Sequence, residues 1–115
     1  MSTPPVTWLE PWYPVDAFGA ERADGMAATL EQQLRREICE RHVLHGESVR
    51  LIARRADTDD VLFALSGGRV AEVHLTWRQG TEPDPRWPDT RIFASLEEWR
   101  RESMAPLHAW LKTLK

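Results

Sequence analysis

The sequence predicts an α+β domain: an N-terminal amphipathic helix, a three- to four-stranded antiparallel meander, and C-terminal helical segments packed on one sheet face. Three observations predict it: an apolar period of four residues over 26–38, a strict alternation over 69–78, and a capping box at 95–98. At 115 residues, 42% of them hydrophobic, the chain (1–115) fits a single domain with one core.

Residues 1–20 are predicted to form a Pro- and Trp-rich arm packed on the body of the domain. Prolines at positions 4, 5, 11 and 14 fix their own φ and bias the preceding residues toward extended conformations. We therefore expect neither a helix nor a central strand in the arm. We expect Trp8 and Trp12 to cover the core; the alternative is that the arm walls a ligand groove.

The helix is predicted from apolar residues that recur every four positions behind Asp24, which can serve as its N-cap. We expect it to end near Arg41 or His42. The recurring residues are Met26, Leu30, Leu34 and Ile38.

The meander is predicted from three extended segments, Ser48–Ala56, Val61–Leu65 and Arg69–Arg78. Gly67-Gly68 supplies a two-residue loop for a tight hairpin between the last two. Arg91-Ile92-Phe93 is a candidate short fourth strand. The residues expected to face the core are Val49, Leu51, Ala53, Ala71, Val73, Leu75 and Trp77.

The opposite face of the sheet is expected to be polar and partly hydrated, because helices should cover only one face. The residues expected there are Arg50, Arg54, Glu72, His74 and Thr76.

A capping box, Ser95 followed by Glu98, begins a helix that should run to about Met104. Pro106 fits the first turn of a further helical segment that carries Leu107, Trp110, Leu111 and Leu114 at helical spacing.

Charge and composition argue against several classes of function. The net charge is −3 and the arginines are interspersed with acids, which argues against nucleic-acid binding. No apolar run approaches the length of a membrane span, and the single cysteine, Cys39, forms no internal disulfide. We therefore expect a cytoplasmic protein with no nucleic-acid or membrane partner.

Cys39, His42 and His45 have ligand types that zinc accepts, but on a helix they fan over about 120° and do not converge. We expect no metal site and no cofactor.

Signatures of the common catalytic families are absent. His74, with Glu72 or an acid from a neighbouring strand, is a weak candidate for a general base. The alternative functional hypothesis is therefore a small enzyme or small-molecule-binding protein with a pocket around His74.

The stretch from Trp77 to Trp87 is the leading candidate for function. Indoles, arginines and carboxylates lie within eleven residues on a backbone stiffened by prolines, and Trp and Arg are enriched at interface hot spots. The alternative is that Trp87 fills the end of the core and the prolines only route the chain. The candidate binding residues are Trp77, Arg78, Glu82, Asp84, Arg86 and Trp87. They predict a small protein-interaction module, compatible with an immunity or antitoxin-type role and with homo-oligomerisation.

Four segments over roughly residues 50–104 carry a resemblance: 59–65, 73–77, 83–88 and 93–99. They include His74-Leu75-Thr76-Trp77 and Pro85-Arg86-Trp87-Pro88. In these segments the chain resembles a group of small uncharacterised bacterial proteins that share HLTW and PxWP elements. The resemblance implies no activity and transfers no catalytic or binding residue.

Overall fold

The structure, a computed structural model, describes residues 7–114 and confirms the α+β class. Short 3₁₀ turns lie at Val15–Phe18 and Ser66–Gly68, and a π-helical turn at Arg100–Met104 joins the last two helices. Within these residues no helix combines the length and the apolar character needed to span a bilayer. The main elements are β1 (Trp12–Pro14), α1 (Ala20–Glu37), β2 (Arg50–Arg55), β3 (Asp60–Ala64), β4 (Val70–His74), β5 (Asp89–Phe93), α2 (Leu96–Trp99) and α3 (Ala105–Thr113).

The sheet is a five-stranded antiparallel meander in which spatial order equals chain order, β1-β2-β3-β4-β5. The predicted fourth strand exists and begins at Asp89. The fifth is β1, in the arm, where Pro14 is tolerated because an edge strand leaves some backbone groups outside the ladder. The predicted hairpin is also present, with positive φ at both Gly67 and Gly68, but its loop is the three-residue turn Ser66–Gly68 and not the predicted two-residue loop.

Helix α1 differs from the prediction at both ends. It begins at Ala20 after Gly19, whose φ of 86° suits glycine, so Asp24 lies inside the helix and is not its N-cap. It ends at Glu37, where Ile38 becomes extended, so His42 lies in the turn that follows. The helix accommodates Gly25 at a cost of about 1 kcal/mol because its buried face packs on the sheet.

Both faces of the sheet are covered. Helix α1 packs on one face over residues such as Phe63, and α2, α3 and residues 8–12 pack on the other over residues such as Leu62. The prediction that the second face of the sheet is polar and partly hydrated is therefore wrong over most of that face. The reason is that Val61-Leu62-Phe63 is apolar at every position, a pattern typical of a strand buried on both sides.

A register shift between Leu51 and Ala53 alters the predicted facing of β2. Such a bulge turns the residues beyond it to the opposite face, so Leu51 packs under α1 whereas Ala53 joins the cluster under the C-terminal helices. The prediction that both residues share a face is wrong. Alternation alone does not reveal an inserted residue, because both side chains are apolar.

Trp99 centres the C-terminal layer. The Ser95 hydroxyl accepts the Glu98 N–H at 3.0 Å, and the Glu98 carboxylate accepts the Ala94 N–H at 2.6 Å, so the predicted capping box begins α2. Trp99 is fully buried, and its ring meets that of Trp12 edge-on at 5.1 Å. Trp8 packs against the same cluster, so Trp8 and Trp12 cover this side of the core, while residues 1–6 of the predicted arm lie outside the described residues.

Candidate functional site

The Trp–Pro loop, which we define as residues 75–88 between β4 and β5, is held against the C-terminal end of α1 by one buried carboxylate. Glu37 accepts hydrogen bonds from the Thr76 N–H at 2.8 Å, the Thr76 hydroxyl at 2.9 Å and the Trp77 N–H at 2.9 Å. The Gln33 side-chain amide donates a fourth, at 2.6 Å. Glu37 has no exposed surface, and the four donors satisfy the buried carboxylate.

Three further bonds join the loop to the same helix end. The Glu82 N–H donates to the Glu37 carbonyl at 2.8 Å, and the Thr81 hydroxyl donates to the Arg36 carbonyl at 3.0 Å. The Gln33 amide also donates to the Arg78 carbonyl at 3.0 Å. Because the last carbonyls of a helix have no partner within it, the loop caps α1 while α1 fixes the loop.

Trp77 points differently from the prediction. Val73 and Leu75 are buried as expected, but β4 ends at His74 and Trp77 has a φ of 61° and an indole that is 42% exposed. The expectation that Trp77 faces inward is therefore wrong. The cause is a residue distant in sequence: the N–H groups of Thr76 and Trp77 turn toward Glu37, which breaks the strand alternation. A left-handed non-glycine residue costs about 1–2 kcal/mol, and these hydrogen bonds offset it.

The charged side chains of the loop form two pairs. Arg78 Nη1 lies 3.0 Å from Glu82 Oε1. Arg86 donates from Nε and Nη2 to both oxygens of Asp84, with a shortest distance of 2.7 Å. The hydrogen bonds from the Arg86 side chain, then from its N–H, lower the pKa of Asp84 to about 2.

The end of the loop is fixed by Pro88, which is buried, whereas Trp87 is 42% exposed. The Pro88 carbonyl accepts from His42 Nε2 and from the Thr90 hydroxyl, both at 2.9 Å. His42 Nδ1 accepts the Leu44 N–H at 3.0 Å, which places the imidazole proton on Nε2. Pro88 is thus the buried residue at this end of the loop, and the Trp87 indole reaches solvent.

His74 does pair with an acid, but the acid is Asp60. Its Nδ1 lies 2.5 Å from Asp60 Oδ1, in the cross-strand register that aligns the two residues. Arg55 binds the other oxygen of Asp60 at 3.2 Å. Glu72 is engaged elsewhere, by the Trp99 indole N–H at 2.8 Å and the Ser103 hydroxyl at 2.5 Å. The predicted pairing of His74 with Glu72 is therefore not formed. The alternative, a pairing with an acid from the neighbouring strand, is formed.

The Cys39, His42 and His45 side chains are not arranged around a common point, because the chain there is a turn and His42 is committed to Pro88. Among the described residues no group of three or more His, Cys, Asp and Glu side chains is placed to hold a metal ion.

A pocket of about 360 Å³ lies beside this turn, and His74 is not among the residues that line it. It is lined by Arg35, Ile38, Leu44, His45, Gly46 and Glu47.

Sequence reasoning missed the residues that position the loop, chiefly Glu37 and Gln33. One signal for them was available: Leu30, Gln33 and Glu37 share the buried stripe of α1, and a carboxylate on an apolar stripe needs several donors. An acid from a neighbouring strand was expected as an alternative partner of His74, but its identity as Asp60 was not predicted, because one strand's sequence does not reveal its register with the next.

No family model matches the chain, and comparisons with curated proteins and with solved structures find no significant similarity.

Proposed function

We propose that the protein is a protein-interaction module that binds its partner through the Trp–Pro loop. The observation that carries the proposal is that Trp77 and Trp87 present half-exposed indoles on a backbone that is hydrogen-bonded to the buried Glu37 carboxylate and to Glu37 and Arg36 main-chain groups. Large apolar side chains are left in solvent where the adjacent backbone is well ordered by the fold.

This arrangement suits binding for an entropic reason. Association costs conformational freedom wherever an interface side chain or loop must be ordered, and a loop that is already fixed loses less. Trp and Arg are the residue types that most often carry binding energy at interface centres, and the loop supplies two of each. The proposed contact residues are Trp77, Arg78, Glu82, Asp84, Arg86 and Trp87.

An immunity or antitoxin-type role is one setting for such a module, and a second copy of the chain is an alternative partner. Both belong to the same proposal, because each would use the exposed indoles. Sedimentation of the purified protein over a range of concentrations separates self-association from binding to another protein.

The proposal is tested with Trp77→Ala and Trp87→Ala, using Trp110→Ala as the matched control. Trp110 lies on α3 and is more exposed than either loop tryptophan. Trp110→Ala therefore removes the same side chain at an exposed position outside the loop. Tagged wild-type and variant proteins are cross-linked in the native host, and the products are compared by mass spectrometry. We expect one adduct with wild type and Trp110→Ala that is lost with both loop variants, while all four proteins melt at similar temperatures.

Two outcomes would contradict the proposal. In one, the loop variants unfold, which would make the indoles structural. In the other, they keep the adduct, which would place the interface elsewhere.

A second candidate is a small enzyme or small-molecule-binding protein centred on His74, and its support is the Asp60–His74 hydrogen bond. An acid that orients an imidazole is a common element of general-base sites. It ranks second because the Asp60 carboxylate is shared with Arg55 and the His74 side chain is half exposed. Loss of a defined ligand or activity in His74→Ala, with retention in Trp87→Ala, would favour this candidate.

A further inference from the structure

The fold adds positive charge to the rim of the Trp–Pro loop from a distant part of the chain. Arg36 belongs to the last turn of α1, where its carbonyl accepts the Thr81 hydroxyl, and its side chain lies in solvent. Arg41 is exposed in the turn that follows α1, one residue before His42, whose imidazole binds the Pro88 carbonyl at the end of the loop. Hydrogen bonds from Arg86 are the main cause of the lowered pKa of Asp84, and the charge of Arg41 adds a smaller effect in the same direction. Both arginines therefore border the loop although they lie more than thirty residues before it.

Within the loop itself the arginines are the more exposed members of their ion pairs. The Arg78 side chain is 52% exposed against 14% for Glu82, and Arg86 is 83% exposed against 34% for Asp84. Each pair is neutral overall, but a partner approaching from solvent meets the guanidinium before the carboxylate. The rim thus presents Arg36, Arg41, Arg78 and Arg86, in a chain whose net charge is −3.

We infer that the Trp–Pro loop recognises an acidic segment of its protein partner, with carboxylates placed around an apolar or aromatic anchor. The inference rests on the proposed function and specifies its partner. The indoles supply the apolar contact, and the surrounding guanidinium groups supply charge-assisted hydrogen bonds to carboxylates. Complementary charge of this kind raises the association rate and selects against basic partners.

Nucleic acid offers the other common source of negative charge, but the surface favours carboxylates. Glu82, Asp84 and Asp89 lie among the arginines and would repel a continuous line of phosphates. A protein segment can place its few carboxylates opposite the arginines and avoid those acids. The experiment below therefore compares binding of an acidic peptide with binding of an oligonucleotide.

The probe is a short synthetic fluorescent peptide in which glutamates alternate with leucine and phenylalanine. Its counterparts carry Gln or Lys in place of Glu, and a labelled oligothymidylate represents nucleic acid. Binding is followed by fluorescence anisotropy at low and physiological ionic strength. We expect the Glu peptide to bind about tenfold more tightly than the Gln peptide, and its affinity to fall as salt rises.

The variants are Arg36→Glu and Arg41→Glu, which remove rim charge without breaking an ion pair of the loop. Arg101→Glu is the matched control, since Arg101 is exposed and lies in the C-terminal layer. We expect each rim variant to weaken the Glu peptide severalfold and the control to leave it unchanged. A second measurement uses the Trp110→Phe variant, in which Trp77 and Trp87 are the remaining exposed tryptophans among the described residues. Because the arginine rim attracts anions, iodide should quench their fluorescence more effectively than the cation caesium.

Equal affinity for the Glu and Gln peptides, absence of binding by the Glu peptide, tighter binding of the oligonucleotide, or equal quenching by caesium would each overturn the inference. The proposed function has a separate test in the native adduct. If Trp87→Ala loses that adduct while the Glu peptide does not bind, the partner is not acidic but the loop remains the interface.

Discussion

The carboxylate of Glu37 accepts the backbone N–H of Trp77 at 2.9 Å, and this bond joins the last residue of α1 to the first exposed indole of the Trp–Pro loop. A single buried side chain thereby sets where β4 stops and where the loop begins. The relationship makes the fold and the candidate surface depend on each other.

Glu37→Gln keeps the size of the side chain but replaces one acceptor oxygen with a donor. The new amide group faces N–H and O–H donors, so we expect a loss of about 2–4 kcal/mol in the free energy of unfolding, measured with urea. Glu40→Gln, at an exposed position just beyond the helix, is the control and should change it by less than about 0.5 kcal/mol. Equal stability of the two variants would show that Glu37 does not hold the loop.

The ion pair between Asp84 and Arg86 should persist to low pH. The folded pKa of Asp84 is about 2, below its ordinary 3.8, so the contribution of the pair is complete above pH 3.8 and is lost as the pH falls toward 2. Carbon-detected NMR titration of the Asp84 carboxyl should give a midpoint near the lower value. Arg86→Gln should move that midpoint toward 3.8, and an unchanged midpoint would contradict the assignment of the shift to Arg86.

Trp99→Phe removes the indole N–H that donates to Glu72 and leaves a space against Trp12. We expect a loss of about 2–4 kcal/mol, because a cavity forms and the Glu72 carboxylate loses one of its two donors, keeping the Ser103 hydroxyl. Trp110→Phe makes the same chemical change at a largely exposed position and should cost less than about 0.5 kcal/mol. Thermal and urea unfolding give both values, and a small effect at Trp99 would exclude it as the centre of the C-terminal layer.

Ser95→Ala removes the N-cap of α2. The Glu98 N–H then loses its acceptor, and we expect a loss of about 0.5–2 kcal/mol. Ser48→Ala, at an exposed position that precedes β2, serves as the comparison. If both substitutions have the same small effect in urea, the helix does not depend on this cap.

The sequence predicted those features that local chemistry determines. The alternation of Val73 and Leu75, the positive φ of Gly67 and Gly68 and the cap at Ser95 follow from side-chain spacing and backbone sterics, and all are present. These signals lie within a few residues of the structure that they specify.

The errors arise where distant residues decide the outcome. The facing of Trp77 depends on Glu37, forty positions earlier, and the facing of Ala53 depends on a bulge relative to β3. Covering of the second sheet face depends on how the arm and the C-terminal helices dock. The candidate loop itself was identifiable from its Trp and Pro content, but its attachment to α1 and its arginine rim required the three-dimensional arrangement.

The agreement between strand order and chain order has a kinetic consequence. From β2 to β5, each strand meets the one that immediately follows it. The β2–β3 and β3–β4 pairings close short loops and should form early, whereas β4–β5 closes the longer Trp–Pro loop. The contact of β1 with β2 must span all of α1, and we expect it to form last and to open first. Amide hydrogen exchange should accordingly be faster in the N-terminal edge strand than at the centre of the meander, and partial opening of the molecule should begin there.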